Sequence, residues 1–192
     1  NKMIKKIVLF VIFIVLVAGI GYFWYMGNQP KPEVVNLPGT ERTVLNPRNG
    51  TYIIEGKSIT LKGGYFEELA APGSASKMVT QYFGNEVQGD FNGDGVQDAA
   101  FILTQNSGGT GTFFYVSALV SSEENFAGTN AILLGDRIAP QTTEFANGMV
   151  VVNYADRNPG EPFTTIPSVG VSRYFKVVNG QLVESTKDGR EK

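Results

Sequence analysis

The chain has no cysteine and no histidine. Without cysteine there are no disulfide staples and no thiol for a lipid, so the redox compartment cannot be read. The two absences together exclude structural zinc built on thiolate or imidazole, thiol nucleophiles, and any triad that needs imidazole as its base. A basic surplus is also missing. Lys and Arg number 16 against 18 Asp and Glu, and setting aside Lys2, Lys5 and Lys6 leaves 13 against 18 from Gly27 onward. Nucleic-acid binding needs a basic face, so no nucleic-acid partner is expected.

What the chain does have begins with an uncharged run, Ile7 to Met26. As a helix this run rises about 30 Å, the thickness of a bilayer's hydrocarbon core. Lys2, Lys5 and Lys6 precede it and Tyr22, Phe23, Trp24 and Tyr25 close it. Basic residues hold the near end in the cytoplasm and aromatic rings favour the far interface. Residues 1–6 are therefore expected as a cytoplasmic basic flank and 7–26 as a single-pass signal-anchor helix in the lipid bilayer. The competing reading is a cleaved signal peptide, for which the run is too long and lacks a clear A-x-A site. Residues 27–50 carry Pro30, Pro32, Pro38 and Pro47, which favour extended backbone and make a semi-rigid spacer.

From Thr51 the pattern turns to short β runs. Tyr52–Ile54 and Ile59–Leu61 flank Glu55-Gly56-Lys57 as a hairpin. Glu67 to Ala75 is ambiguous between a short helix stopped by Pro72-Gly73 and something extended, whereas Thr80 to Gln88 reads as a strand. Ala99 to Leu103 is almost wholly apolar, the mark of a strand covered on both faces. Further candidates are Thr112–Ser121, Ala131–Leu134, Thr142–Phe145, Met149–Tyr154, Arg173–Val178 and Gln181–Glu184. Asn147-Gly148 and Asn179-Gly180 are hairpin signals between the last two pairs. About eight short strands separated by turn residues predict a mainly β fold. The expected form is one antiparallel β-sandwich or barrel-like domain over residues 51–186, followed by a charged tail, 187–192. It sits behind the N-terminal transmembrane helix and the Pro-rich linker.

The most specific stretch is Gly89-Asp90-Phe91-Asn92-Gly93-Asp94-Gly95-Val96-Gln97-Asp98. Asp90, Asn92, Asp94 and Asp98 fall at positions 1, 3, 5 and 9 of a Ca²⁺ loop, and Val96 at position 7 would offer its carbonyl. Three carboxylates crowded into nine residues repel one another unless a cation sits among them. Position 12 is Phe101 rather than a bidentate Glu, which argues against a helix–loop–helix hand. Here the chain resembles the strand–loop–strand calcium repeats of integrin-type propellers (FG-GAP or VCBS-like), whose pattern is Asp-x-Asx-x-Asp-Gly-x-x-Asp before a hydrophobic strand. The match covers residues 89–103 and occurs once, so it implies the ion site and no propeller. More broadly the chain looks like a group of uncharacterised, exported, membrane-anchored bacterial proteins. They share such a loop, a Gly/Ser-rich turn like Gln105–Gly111, and a segment like Asn153-Tyr154-Ala155-Asp156-Arg157. That likeness implies an extracytoplasmic domain and brings no activity with it.

Two other constellations carry possible chemistry. Asp136-Arg137 and Asp156-Arg157 repeat one dipeptide after β candidates, with Glu161 close behind the second. On a shared rim these residues could grip a carboxylate or phosphate, or serve glycoside hydrolysis; the plain alternative is exposed ion pairs at strand ends. Ser74-Ala75-Ser76-Lys77 fits S-x-x-K, but neither S-D-N nor K-T-G is present. No catalytic residue is assigned. The expectation is a Ca²⁺-stabilised domain outside the cytoplasm that binds an envelope polymer or protein, or plays a structural part. A cell-wall glycan or peptide hydrolase using Asp and Glu is one alternative; an inhibitor or assembly factor is the other.

Overall fold

The apolar run at Ala99–Leu103 lies where two hydrophobic cores meet. The computed structural model describes residues 45–121, 125–190 and 192. The basic flank, the membrane helix expected at 7–26 and the part of the expected linker before residue 45 lie outside the described residues. Among those described there is no α-helix, and none of their helices is long and apolar enough to cross a membrane. The fold is mainly β.

After a 3-10 turn at Pro47–Asn49 come twelve strands: β1 (Thr51–Ile54), β2 (Lys57–Thr60), β3 (Tyr65–Leu69), β4 (Lys77–Gly89), β5 (Asp98–Asn106), β6 (Phe113–Ser121), β7 (Phe126–Gly128), β8 (Asn130–Asp136), β9 (Ala139–Ala146), β10 (Met149–Asp156), β11 (Val169–Val178) and β12 (Gln181–Ser185). The larger sheet runs β2-β1-β8-β6-β5-β4-β3, with β7 added to β6; the smaller runs β12-β11-β10-β9. The ends of the larger sheet meet where Lys62 and Tyr65 exchange backbone hydrogen bonds, so it curls into a nearly closed barrel.

Side chains alternate across a strand, and β5 and β6 use both sides. Phe101, Leu103, Tyr115 and Leu119 point into the barrel with Tyr52, Ile54, Ile59 and Leu61. Ala100, Ile102, Val116, Ala118 and Val120 point outward against Val150, Val152, Tyr154, Phe175 and Leu182 of the second core, which involves the smaller sheet. Barrel and sandwich are thus both present, joined through the same strands. Every strand pair is antiparallel except β1 with β8, which run parallel with Ile53 opposite Asn130 and Ile54 opposite Ala131. The expectation of a wholly antiparallel sheet is corrected there. A hairpin β1–β2 formed early in the chain can join β8 in this direction because a long stretch of chain separates them.

The ambiguous segment resolves as β3 and a loop. Glu67 and Glu68 stand on β3, and their carboxylates meet Lys77 and Lys57 respectively, each at 2.5 Å. The two Asn-Gly pairs form the predicted turns, with Asn147 and Gly148 at φ 54° and 71° and Asn179 and Gly180 at 50° and 73°. Both central residues of such a turn need positive φ, which this pair tolerates best. Strand β7 was not foreseen, since three residues carry no period. Its Gly128 is required by space: a Cβ there would lie 2.1 Å from the Thr51 carbonyl oxygen and 2.6 Å from the Tyr52 ring.

One polar cluster ties the smaller sheet to the larger. Arg173 donates to both oxygens of Glu184 and to the Leu133 carbonyl. The guanidinium, with Lys192 behind it, holds the Glu184 carboxyl down at about 2.

Candidate functional site

The loop from Asp90 to Asp98 joins β4 to β5 at one end of the larger sheet. It is rooted by Phe91, which is buried and packs on Phe145 with ring centroids 4.9 Å apart. Asp98 begins β5 and is wholly buried. One of its oxygens accepts the Phe91 amide at 2.7 Å; the other accepts the Ser121 amide at 2.7 Å and the Ser121 hydroxyl at 2.8 Å. A buried carboxylate without such donors would be costly.

Asp90 organises the loop's outer part. It accepts amide hydrogens from Gly93 at 2.7 Å, Asp94 at 3.1 Å and Gly95 at 2.9 Å. Asp94 accepts from the Val96 amide, the Asn92 carboxamide and the Ser121 hydroxyl. Asn92 also donates to the Ser121 carbonyl at 2.9 Å. The predicted ligand residues are therefore drawn into one hydrogen-bonded loop. Ser121, at the end of β6, is a member that no pattern in the sequence marked, because it reaches the loop only through the β5–β6 pairing.

The donor chemistry suits a hard cation: carboxylates, an amide oxygen and the Val96 carbonyl. A carboxylate offers about four lone-pair sites, so the three hydrogen bonds to Asp90 leave it room for a further partner. Among the described residues, though, no three acidic side chains gather closely enough to grip a metal ion. The carboxylates here are turned onto the loop's own amides and Ser121.

The two Asp-Arg dipeptides do come together. Asp136 ends β8 and Asp156 ends β10. Arg157 donates to the Arg137 carbonyl at 3.0 Å and to the Thr165 carbonyl at 2.5 Å. Arg137 turns onto its neighbour Asp136 with contacts of 2.7 and 3.1 Å, and Asp136 also accepts the Thr112 amide at 2.9 Å. Asp156 accepts the Arg157 amide. Glu161 lies in the same loop but answers to Asn158, through its amide at 2.8 Å and its carboxamide at 3.1 Å. Those bonds, the carboxamide's first, hold the Glu161 carboxyl below its ordinary range.

Phe163 is the rim residue that sequence reasoning missed. It is 57% exposed, and the Arg137 guanidinium stacks on its ring at 4.1 Å. The S-x-x-K segment forms no nucleophile–base pair: Ser74 accepts the Ser76 amide, and Lys77 is held by Glu67.

Comparison with known proteins finds no matching family model, no similar curated protein and no similar solved structure.

Proposed function

We propose that the protein is a membrane-anchored, extracytoplasmic β domain, stabilised by Ca²⁺ at the Asp90–Asp98 loop, with a binding or structural role at the cell envelope. The anchor rests on residues 7–26, the orientation on Lys2, Lys5 and Lys6. Bound Ca²⁺ would supply the positive charge that Asp90, Asp94 and Asp98 lack between them, with Asn92 and Val96 as neutral oxygen donors.

Binding is favoured over hydrolysis by one observation: each rim carboxylate is already committed to a local partner. Asp136 is held by Arg137 and an amide, Asp156 by an amide, and Glu161 by Asn158. A glycosidase pair needs one carboxyl with its pKa raised so that it can donate a proton. Glu161 is shifted the other way. What the rim presents outward instead is an aromatic ring backed by a guanidinium, a surface suited to contact.

Sedimentation with insoluble envelope polymer tests this. The full chain in nanodiscs should co-sediment with the polymer and release no soluble fragments, and Phe163→Ala should weaken retention severalfold. Release of reducing ends or peptides, abolished by Glu161→Gln or Asp156→Asn, would make it a hydrolase instead.

A further inference from the structure

The seam of the barrel runs between its edge strands β2 and β3. Among the described residues, β2 and β3 are joined by backbone hydrogen bonds only at Lys62 and Tyr65, beside the turn between them. Away from that turn the barrel wall contains a cavity of about 210 Å³. Its apolar wall includes Ile54 and Ile59, both at most 2% exposed, together with Met78. That volume matches about seven waters' share of liquid, enough for a small organic molecule and too little for a drug-sized one.

Its polar groups are few and distinct. Gln105 is only 8% exposed and lines the cavity; one amide hydrogen goes to the Thr80 hydroxyl at 3.2 Å. Among the described residues its side-chain carbonyl accepts no hydrogen bond, and it is not one of the buried polar atoms left without a partner, so it is open to the cavity's solvent. Glu55, an exposed residue at the cavity mouth, accepts the Tyr115 hydroxyl with one oxygen at 3.0 Å, and its other oxygen has no partner among the described residues. Lys57 is bound to Glu68 at 2.5 Å. Of the three ionisable groups on the lining, the cation is therefore spent on one carboxylate and Glu55 is the charge left over.

We propose that this cavity is a binding site for a small organic cation, a primary ammonium on a short aliphatic body. The ammonium donates to Glu55 and to the Gln105 carbonyl, and the alkyl part lies on Ile54, Ile59 and Met78. An ammonium carries three donors and no acceptor, which suits the free Glu55 oxygen and the Gln105 carbonyl. A carboxylate or phosphate would meet Glu55 at its own charge and find Lys57 occupied. Burial first, then the Glu55 hydrogen bond, pushes the Tyr115 phenol well up, so it stays a donor and keeps Glu55 in place. The site is separate from the ion loop and from the Arg137–Arg157 rim, and does not depend on either reading.

Methionine-methyl NMR of the full chain in nanodiscs tests it, with butylammonium as probe and butanoate and butanol as controls. A ligand with five heavy atoms is expected to bind near 1 mM. Butylammonium should shift the Met78 methyl saturably and leave the Met149 methyl, buried at the start of β10, where it is. Glu55→Gln, which keeps an acceptor for Tyr115, should weaken the response roughly tenfold. Ala70→Trp, at an exposed lining position, should abolish it with the Met149 signal unchanged. An equal shift from butanoate or butanol overturns the proposal. So does no saturation at roughly ten times the expected constant, or an unaltered response in both variants.

Discussion

Single residues decide the chemistry of the ion loop. Each loop carboxylate already has amide donors, so a cation adds to an ordered turn rather than creating one. If Ca²⁺ is held at ten times its dissociation constant, binding only the folded state contributes about 1.4 kcal/mol. For a domain of this size that raises the melting temperature by about 3–6 °C. Differential scanning with chelator and then excess Ca²⁺ should show this shift, and Asp94→Ala should remove it. Wild-type protein whose melting ignores both additions would mean that the loop carboxylates hold no Ca²⁺. The alternating acids were legible because their spacing is local. Ser121 was not, because it reaches Asp94 and Asp98 only across the β5–β6 ladder.

At the scale of elements, the clearest sequence signal was the one with both faces buried. Ala99–Leu103 lacks polar alternation because alternate side chains enter two different cores. Phe101 is fully buried and meets Tyr52 edge-on at 5.2 Å, whereas Phe113, on the neighbouring strand, is 38% exposed. Phe101→Ala is therefore expected to cost about 3–5 kcal/mol, and Phe113→Ala less than about 1.5 kcal/mol. Urea unfolding of the two variants measures the contrast; similar losses would mean that the alternation is misassigned. Asn-Gly turns were legible for the same reason as the run: the requirement is local. Strand β3 was obscured because Glu67-Glu68-Leu69-Ala70-Ala71 has good helical propensity. Pairing with β4 and the two Lys–Glu contacts override that propensity. The parallel meeting of β1 and β8 left no trace in either segment, since direction is a property of the pair.

For the whole molecule, the proposed orientation across a membrane is the reading with the widest consequence. The three lysines before the apolar run predict that residues 45–192 lie outside the cytoplasm. Protease added to spheroplasts should digest this part of the chain, with a cytoplasmic marker untouched. Protection until lysis would reverse the orientation and remove the Ca²⁺-rich setting that a weak ion site needs.

The parallel seam also sets an order of events. Thr51–Ile54 and its hairpin partner are synthesised first among the strands, yet β1 cannot take its place beside β8 until Asn130 and Ala131 have followed. Contacts so distant along the chain are slow to form. Synthesis from the N-terminus thus leaves the first hairpin waiting, its Ile54 and Ile59 not yet enclosed. Closing of the barrel is then timed by emergence of the middle of the chain, not by its beginning.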